Sequence, residues 1–284
     1  MNITIVGLGL IGGSMAIALK NAGFASHVIG VDNNPEHCKI AMKKGLVHEV
    51  SDLQESCAKA DLIIVAIPVD KSKEVVARIL DLIDEHTVVT DMGSTKKMIC
   101  KHLEKHAKRH LYVAAHPIAG TEHSGPLATQ RDLFNNKKTF ICEKNKSSNK
   151  ALTTVLKMFH CLNMSVEFME AEEHDKHAAY ISHLSHITSF ALGLTVLDIE
   201  KDEKSICDMA GSGFFSTVRL AMSSPEMWTP ILIENKENIS YALNKYVNHL
   251  QKFKDYIDQT DKTKMFKMLK KANDIRRILD DIIS

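Results

Sequence analysis

The sequence predicts an α/β protein in which a Rossmann-type doubly wound sheet is followed by an all-helical domain. Three observations lead to this fold class. The first 32 residues read as a strand, a glycine-rich turn, a helix and a second strand. Short apolar runs then alternate with helical segments to about residue 170, which predicts βαβ units and a doubly wound sheet. From Ala171 onwards, apolar residues recur at helical spacing and no further strand is predicted.

The first unit has the order that a dinucleotide site requires. The β-branched run Ile3–Val6 leads directly into the turn Gly7–Gly12, whose sequence is GLGLIG, and a helix is predicted over Ser14–Asn21. A second apolar run, Val28–Val31, ends on Asp32, 20 residues beyond the last glycine. A GxGxxG turn alone is weak evidence. The strand before it, the helix after it and the acid at this distance together predict a dinucleotide site.

The three glycines have separate tasks in such a site. Gly7 permits the tight turn, Gly9 lets the backbone approach a pyrophosphate, and Gly12 lets the helix pack closely on the strand. The pyrophosphate then lies at the positive N-terminus of the helix. Pro68, at the end of a later strand, is expected to shape the turn beside the adenosine. The predicted cofactor-binding residues are Gly7, Gly9, Leu10, Ile11, Gly12, Asp32 and Pro68.

The acid at the end of the second strand also predicts which dinucleotide binds. A carboxylate at Asp32 accepts hydrogen bonds from a ribose diol and repels a 2′-phosphate. The following residues, Asn33, Asn34 and Pro35, supply no arginine to hold such a phosphate. NAD is therefore predicted as the cofactor in preference to NADP.

The remaining elements continue the alternation. An almost wholly apolar strand at Ala60–Pro68 is typical of a parallel strand covered on both faces. Further strands are predicted at Thr87–Asp91, Leu111–Ala115, Thr139–Cys142 and Ser165–Phe168, and helices at Pro35–Lys44, Ser72–Ile83, Thr95–His106 and Lys150–Leu162. In the helical part, Ser224 and Pro225 form a good helix start. We predict a dinucleotide-binding domain at 1–170 and a helical domain at 171–284.

Composition excludes several classes of function. The 284 residues carry a formal net charge of +1, with 25% charged and 44% apolar side chains, so no nucleic-acid or membrane partner is predicted. No apolar run approaches the length of a bilayer span, and no targeting signal is expected before the first strand. The six cysteines form no CxxC pair and predict reduced thiols in a cytoplasmic protein. The basic stretch 262–277 is expected to be a solvated helix face.

Candidate catalytic residues follow two strand ends, where ligands bind in doubly wound sheets. His116 ends one strand, and its imidazole can take the hydroxyl proton when a hydride leaves an alcohol carbon. The alternative is a histidine that only satisfies backbone groups. Ser94 follows another strand in the segment DMGSTK, where Ser94 or Thr95 could equally cap the next helix.

The helical half holds a second group of candidates. His183 and His186 share a helix face, but no carboxylate or cysteine completes a metal site at an obvious spacing, so no metal is predicted. Arg219 could clamp a carboxylate, or form a surface ion pair. Trp228 could line a pocket, or belong to the core.

Taken together, these motifs resemble the prephenate dehydrogenases. The matching segments spread from residue 6 to residue 228: VGLGLIGGS, IVAIP, DMGSTK, HPIAGTEHSG, HDKHAAYISHLSH, GSGFFSTVRLA and SSPEMW. The resemblance implies NAD-dependent oxidative decarboxylation of prephenate to 4-hydroxyphenylpyruvate in tyrosine biosynthesis. It also implies that the helical part is an all-α dimerisation domain, so that a homodimer is expected.

The resemblance implies roles for individual residues. His116 matches the catalytic histidine that takes the ring hydroxyl proton, and Ser94 matches a serine near both that histidine and the nicotinamide. Arg219 matches the arginine that binds a substrate carboxylate. The remaining residues expected to bind substrate are His186, Trp228, Thr121 and Ser212, and Glu122 belongs to the same catalytic-loop motif as Thr121.

Two positions depart from the family pattern, and three rival functions stay open. Ser185 replaces a frequent proline, and Ser212 adds a side chain in a loop that is usually richer in glycine. A chain ending at Ser284 is expected to carry no chorismate mutase or regulatory domain. The rivals are the same chemistry on arogenate, another NAD enzyme such as a β-hydroxyacid dehydrogenase or imine reductase, and a non-catalytic NAD-sensing module.

Overall fold

A computed structural model describes the backbone of residues 1–283, and all their side chains except those of Lys204, Cys207 and 281–283. The thiol predicted at Cys207 thus lies outside the described residues; the other five cysteines are free thiols. The strands are β1 (Asn2–Val6), β2 (His27–Val31), β3 (Glu49–Val50), β4 (Leu62–Val65), β5 (Val88–Asp91), β6 (Tyr112–Pro117), β7 (Lys138–Cys142) and β8 (Ser165–Met169). The helices are α1 (Leu10–Asn21), α2 (Pro35–Lys43), α3 (Leu53–Lys59), α4 (Val69–Leu82), α5 (Lys97–Leu103), α6 (Asn149–Cys161), α7 (Ala171–Ala178), α8 (Leu184–Glu200), α9 (Ser212–Val218), α10 (Pro225–Glu234), α11 (Lys236–Asp258), α12 (Lys262–Ala272) and α13 (Arg276–Ile283).

The strands form a single eight-stranded sheet in the order β3-β2-β1-β4-β5-β6-β7-β8. The strand order reverses at β1, which pairs in parallel with β2 on one side and with β4 on the other. Ligands of such sheets bind beyond the carboxyl ends of the strands, at this switch point. The predicted fold class, a Rossmann-type sheet followed by helices, is confirmed.

Strand β4 shows why its sequence is almost wholly apolar. Successive side chains of a strand point to opposite faces of the sheet. Leu62 and Ile64 belong to the apolar core on one face, and Ile63 and Val65 belong to the core on the other. All four side chains are buried, so the sheet is covered on both faces, as the continuous apolar run predicts.

Two parts of the sheet differ from the prediction. β3 and α3 were not predicted, because a two-residue strand and a seven-residue helix leave almost no periodic signal. The local signal was the cap of α3, where the Asp52 carboxylate accepts a hydrogen bond from the Glu55 N–H. β7 runs antiparallel to β6, because residues 118–137 connect them without a crossover helix.

The chain forms two compact units, Met1–Asn238 and Ile239–Ser284. The first unit holds the sheet and the helices up to α10. Within it, α7 and α8 are joined by one π-helical segment, Ala179–His183. The second unit is helical over its described residues and holds most of α11 together with α12 and α13. No helix of the described chain combines the length and apolar composition that a bilayer crossing requires.

Candidate active site

A cleft of about 1200 Å³ lies at the carboxyl ends of β1, β4, β5 and β6, within the first compact unit. It is lined by the turn before α1, by the segments after β4, β5 and β6, and by side chains of α8 and α10. Most of the predicted site residues line it: Gly9, Leu10, Ile11, Pro68, Ser94, His116, Thr121, His186, Arg219 and Trp228. The fold thus brings together residues that are more than 200 positions apart in the sequence.

The glycines of the first turn are required for two different reasons. Gly7 has a φ of +95°, and a Cβ atom there would lie closer than 3.0 Å to the Ala66 carbonyl. A Cβ atom on Gly12 would overlap the carbonyl oxygen of Gly7. At Gly9, by contrast, a Cβ atom would meet nothing within 4 Å. Gly7 and Gly12 are therefore needed for packing in the protein itself, whereas Gly9 leaves space outside the backbone.

The Asp32 carboxylate ties this turn to the end of β2. One of its oxygens accepts a hydrogen bond from the Leu8 N–H at 2.7 Å, and the other accepts one from the Asn34 N–H at 2.8 Å. His37 Nδ1 lies 3.4 Å from the same carboxylate, and the His37 ring lines the cleft. The sequence did not single out His37, since α2 carries no motif there. Asp32 itself is not among the residues that line the cleft.

His116, the next-to-last residue of β6, reaches the cleft and contacts a buried pair on α7. Its Nδ1 lies 2.8 Å from His174 Nε2, and His174 Nδ1 lies 2.8 Å from Asp175 Oδ1. We call these three residues the histidine chain. Burial, together with neighbouring His174, Lys96 and His183, holds the pKa of His116 well below its usual value. His116 is therefore neutral at neutral pH and has a lone pair to accept a proton.

The N-terminus of α5, which follows β5, is capped by a different residue from the two that the sequence suggested. Ser94 lines the cleft, but α5 begins only at Lys97, and neither Ser94 nor Thr95 caps it. The Asp175 carboxylate does so from α7, accepting hydrogen bonds from the N–H groups of Lys96 at 2.7 Å and Lys97 at 2.9 Å. The capping alternative was wrong because a distant carboxylate takes the place of a local hydroxyl.

A second buried polar group lies beneath the end of β6. The Lys96 side chain is fully buried, and its Nζ pairs with the Asp91 carboxylate and donates to the Ala115 carbonyl at 2.7 Å. The Tyr112 hydroxyl donates to the other Asp91 oxygen at 2.6 Å. These bonds hold the backbone just before His116. The sequence did not indicate them, because their partners are brought together only by strand pairing.

Arg219 forms an ion pair on the side of the cleft formed by helices. Its Nη1 donates to Glu122 Oε2 at 2.7 Å, and the Arg219 side chain remains 39% exposed. The Glu122 backbone N–H and the Arg219 guanidinium both lower the pKa of this carboxyl group. Thr121 and Glu122 lie together in the loop after β6 and both line the cleft. The Arg219 guanidinium, which is expected to bind a substrate carboxylate, therefore faces the cleft already paired with the Glu122 carboxylate.

His186 and Trp228 form one apolar wall of the cleft. Their rings stack with centroids 3.6 Å apart, and His183 lies edge-on to the same indole. His186 Nδ1 lies 3.0 Å from the Ser182 carbonyl, which can only accept, so this nitrogen carries the proton. Burial lowers the pKa of His186 and lowers that of His183 to about 4. Both rings are therefore neutral at neutral pH.

Ser212 is not brought to the cleft. It is exposed at the first turn of α9 and is absent from the residues that line the cavity. Among the described side chains, no group of three or more His, Cys, Asp or Glu residues is placed to hold a metal ion.

A doubly wound sheet with this glycine turn at its switch point, together with a neutral histidine in the same cleft, defines a nucleotide-dependent oxidoreductase. The family model for the nucleotide-binding domain of prephenate dehydrogenase matches residues 15–168. The model for the dimerization domain of prephenate dehydrogenase matches residues 170–271. The chain belongs to the prephenate dehydrogenase family, as the sequence motifs predict.

Individual relatives agree with this assignment. Prephenate dehydrogenase of Bacillus subtilis is 31% identical over 277 residues, which are 96% of this chain and 75% of that protein. The solved structure of Aquifex aeolicus prephenate dehydrogenase, in complex with hydroxyphenyl propionate and NAD+, is 31% identical. It superposes with a TM-score of 0.88 over 98% of both chains. Arogenate dehydrogenase of Synechocystis is 25% identical, with a TM-score of 0.76, over 98% of this chain and 100% of that one.

Proposed function

We propose that this chain catalyses the NAD-dependent oxidative decarboxylation of prephenate to 4-hydroxyphenylpyruvate. The observation that carries the proposal is the placement of His116, a neutral base at the end of β6, in the cleft that also holds the glycine turn and Arg219. The Aquifex relative was solved with hydroxyphenyl propionate, which shares a ring hydroxyl and a side-chain carboxylate with the proposed product.

NAD is the cofactor, as the sequence predicts. The nucleotide-binding family model matches residues 15–168, and the Aquifex relative was solved with NAD+. The residues of this chain fit the group: Gly9 leaves open space beside the backbone, and no described side chain caps α1. The first N–H groups of α1 are then available to the pyrophosphate. When bound, NAD supplies the hydride acceptor.

The side chains of the cleft then have three tasks. His116 accepts the proton of the ring hydroxyl on the nitrogen that does not contact His174. Arg219 binds a substrate carboxylate, and the stacked His186 and Trp228 rings contact the substrate ring. Loss of the ring carboxylate makes the ring aromatic, which supplies a strong driving force. The protein therefore has mainly to orient the substrate, remove one proton and hold anions.

We expect Arg219→Ala to act mainly on substrate binding. A charge-assisted hydrogen bond to a carboxylate contributes in the ground state and the transition state alike, so KM for the substrate rises roughly 10- to 100-fold with a small change in kcat. Steady-state kinetics measure this. Arg78→Ala is the matched control, because Arg78 is an exposed arginine of α4 outside the cleft. An unchanged KM would remove Arg219 from the substrate site.

We expect Asp32→Ser to weaken the preference for NAD over NADP. Removing the carboxylate removes its repulsion of a 2′-phosphate, so kcat/KM for NADP relative to NAD rises by about tenfold. Serine is one bond shorter than aspartate, so a thermal melt checks that the turn survives without the hydrogen bond that Asp32 accepts from Leu8 N–H. If the cofactor ratio stays constant, another group excludes the phosphate.

The helical part is proposed to form a homodimer, with the boundary between the domains near residue 170. The two family models meet between residues 168 and 170, and the second one is a dimerization domain. The exposed side chains of Leu194 and Leu197, one turn apart on α8, support an interface there, since large exposed apolar patches are uncommon on monomers. A solution molar mass of one chain would contradict the dimer.

The decisive experiment follows NADH formation with NAD and either prephenate or arogenate, the substrate that the Synechocystis relative's name indicates for that enzyme. Turnover of prephenate supports the proposal. Turnover of arogenate alone keeps the chemistry and changes the substrate. An absence of turnover with both substrates, while NAD still binds, would favour a non-catalytic NAD-sensing role.

A further inference from the structure

We propose that His174 and Asp175 act on the catalytic base: the histidine chain is a directed series of hydrogen bonds that fixes the tautomer of His116. The inference rests on the proposed function, in which His116 takes a proton from the substrate. It assigns His174 and Asp175 as positioning residues, since neither has to touch the substrate.

The direction of each bond follows from Asp175. Its two oxygens already accept hydrogen bonds from the N–H groups of Lys96 and Lys97, so this buried carboxylate faces His174 as an acceptor. His174 Nδ1, at 2.8 Å, must then donate to it, which in a neutral imidazole leaves a lone pair on His174 Nε2. His116 Nδ1, also at 2.8 Å, must donate to that lone pair. The Nε2 atom of His116 is left with a lone pair and is the only ring nitrogen able to accept a proton.

The three residues of the histidine chain are held by separate elements of the fold. His116 lies on β6, His174 and Asp175 belong to α7, and the two N–H groups that bind Asp175 belong to the start of α5. The Asn235 side-chain amide donates to the Asp175 carbonyl at 2.7 Å and fixes this turn of α7. His174 and Asp175 are both buried, so water does not compete for their hydrogen bonds. This arrangement keeps the imidazole of His116 in one orientation.

The histidine chain also stabilises the positive charge that forms on His116 during catalysis. When the hydroxyl proton moves to His116 Nε2, the ring becomes an imidazolium whose Nδ1–H faces His174. Of the groups around it, His183 is neutral and His174 presents its Nε2 lone pair, whereas the Lys96 ammonium opposes this charge but is itself paired with Asp91. The Asp175 carboxylate, reached through His174, offsets that opposition. Without it, the His116 imidazolium would have no anionic group at the far end of its hydrogen bond to His174.

The test compares His174→Phe with His174→Gln. Phenylalanine fills the space, and Phe140 already packs edge-on against this ring, but it offers no acceptor to His116. Glutamine places an amide oxygen where Nε2 lies and can still accept from His116 Nδ1–H. Two readouts are needed: the ¹⁵N NMR signals of the His116 ring in the protein without substrate, and kcat with saturating NAD. His160→Gln, an exposed histidine of α6, is the control.

We expect wild type and His174→Gln to carry the His116 proton on Nδ1, and His174→Phe to show mixed tautomers. The kcat of His174→Phe should fall by about 10²-fold or more, and that of His174→Gln by much less, with NAD affinity unchanged in both. A wild-type His116 protonated on Nε2, or equal losses in both variants with unaltered tautomers, would overturn the proposal.

The two proposals fail in different ways. If wild type turns over neither prephenate nor arogenate, the proposed function fails. The histidine chain still stands if the His116 proton lies on Nδ1 in wild type and in His174→Gln, which have an acceptor at position 174, but not in His174→Phe. If wild type is active while its His116 tautomers are mixed, the proposed function stands and the histidine chain fails.

Discussion

His116→Asn is expected to lower turnover by about 10²- to 10⁴-fold, the contribution of a well-placed general base. Asparagine keeps a polar side chain at the end of β6, but its amide does not take up a proton at any pH near neutral. The side chain lies beside the catalytic loop rather than in the glycine turn, so NAD affinity should change little. Steady-state kinetics and a direct NAD-binding titration separate these two effects. A near-normal kcat would remove His116 from the role of base.

The pH dependence of wild type provides a second test of the same role. Burial and neighbouring groups hold the pKa of His116 well below its usual value, and the neutral ring is the active form. The sign follows: kcat/KM is constant through neutral pH and falls only as acid protonates His116. The acid limb should disappear in His116→Asn, leaving a low and flat profile. An acid limb that persists in the variant would belong to another group.

Gly12→Ala and Gly9→Ala are expected to separate packing from cofactor binding. A methyl group on Gly12 would overlap the Gly7 carbonyl and press on the Ile5 side chain. Because the obstacle is backbone, α1 would have to move off β1, and the free energy of unfolding should fall by about 1–3 kcal/mol or more. NAD binding should be lost with it. Chemical denaturation measures the first effect.

Gly9→Ala is the matched control at the other end of the turn. A methyl group there meets nothing within 4 Å, and Gly9 has a φ of −77°, which alanine adopts without strain. Its free energy of unfolding should stay within about 1 kcal/mol of wild type. The methyl group would occupy the space left for the pyrophosphate, so NAD affinity should fall by at least about tenfold. Full NAD affinity in Gly9→Ala would mean that the dinucleotide takes another path.

The elements that the sequence predicts well are those that carry a long periodic signal or a motif. The strand around Ile63 and the turn Gly7–Gly12 were found because burial on both faces and a tight turn each constrain the local residues. Strand β7 was predicted at Thr139–Cys142, but its antiparallel direction could not be found in this way. Its direction depends on residues 118–137 forming no crossover α-helix, and a missing crossover leaves no pattern of its own.

The site residues divide in the same way. Those that belong to a local sequence motif were predicted, and those held by tertiary contacts were not. His116, Arg219 and Trp228 were identified from their motifs, and all three line the cleft. The buried pair of Lys96 and Asp91, and the cap that Asp175 gives to α5, were missed. Each of these joins residues through tertiary contacts, and a lysine or an aspartate at these positions has no sequence feature that distinguishes it from a surface residue.

The π-helical segment Ala179–His183 explains how α7 and α8, which it joins, can each present a histidine to the catalytic cleft. His174 and His186 are 12 residues apart, and in a regular α-helix they would point about 120° away from each other. A π turn absorbs one additional residue, so the effective separation is about 11 residues and the two directions differ by only about 20°. Both histidines accordingly line the cleft. The π turn thus brings the two histidines onto one face of the helix. A sequence reading that assumes about 3.6 residues per turn across this segment would assign them to different faces.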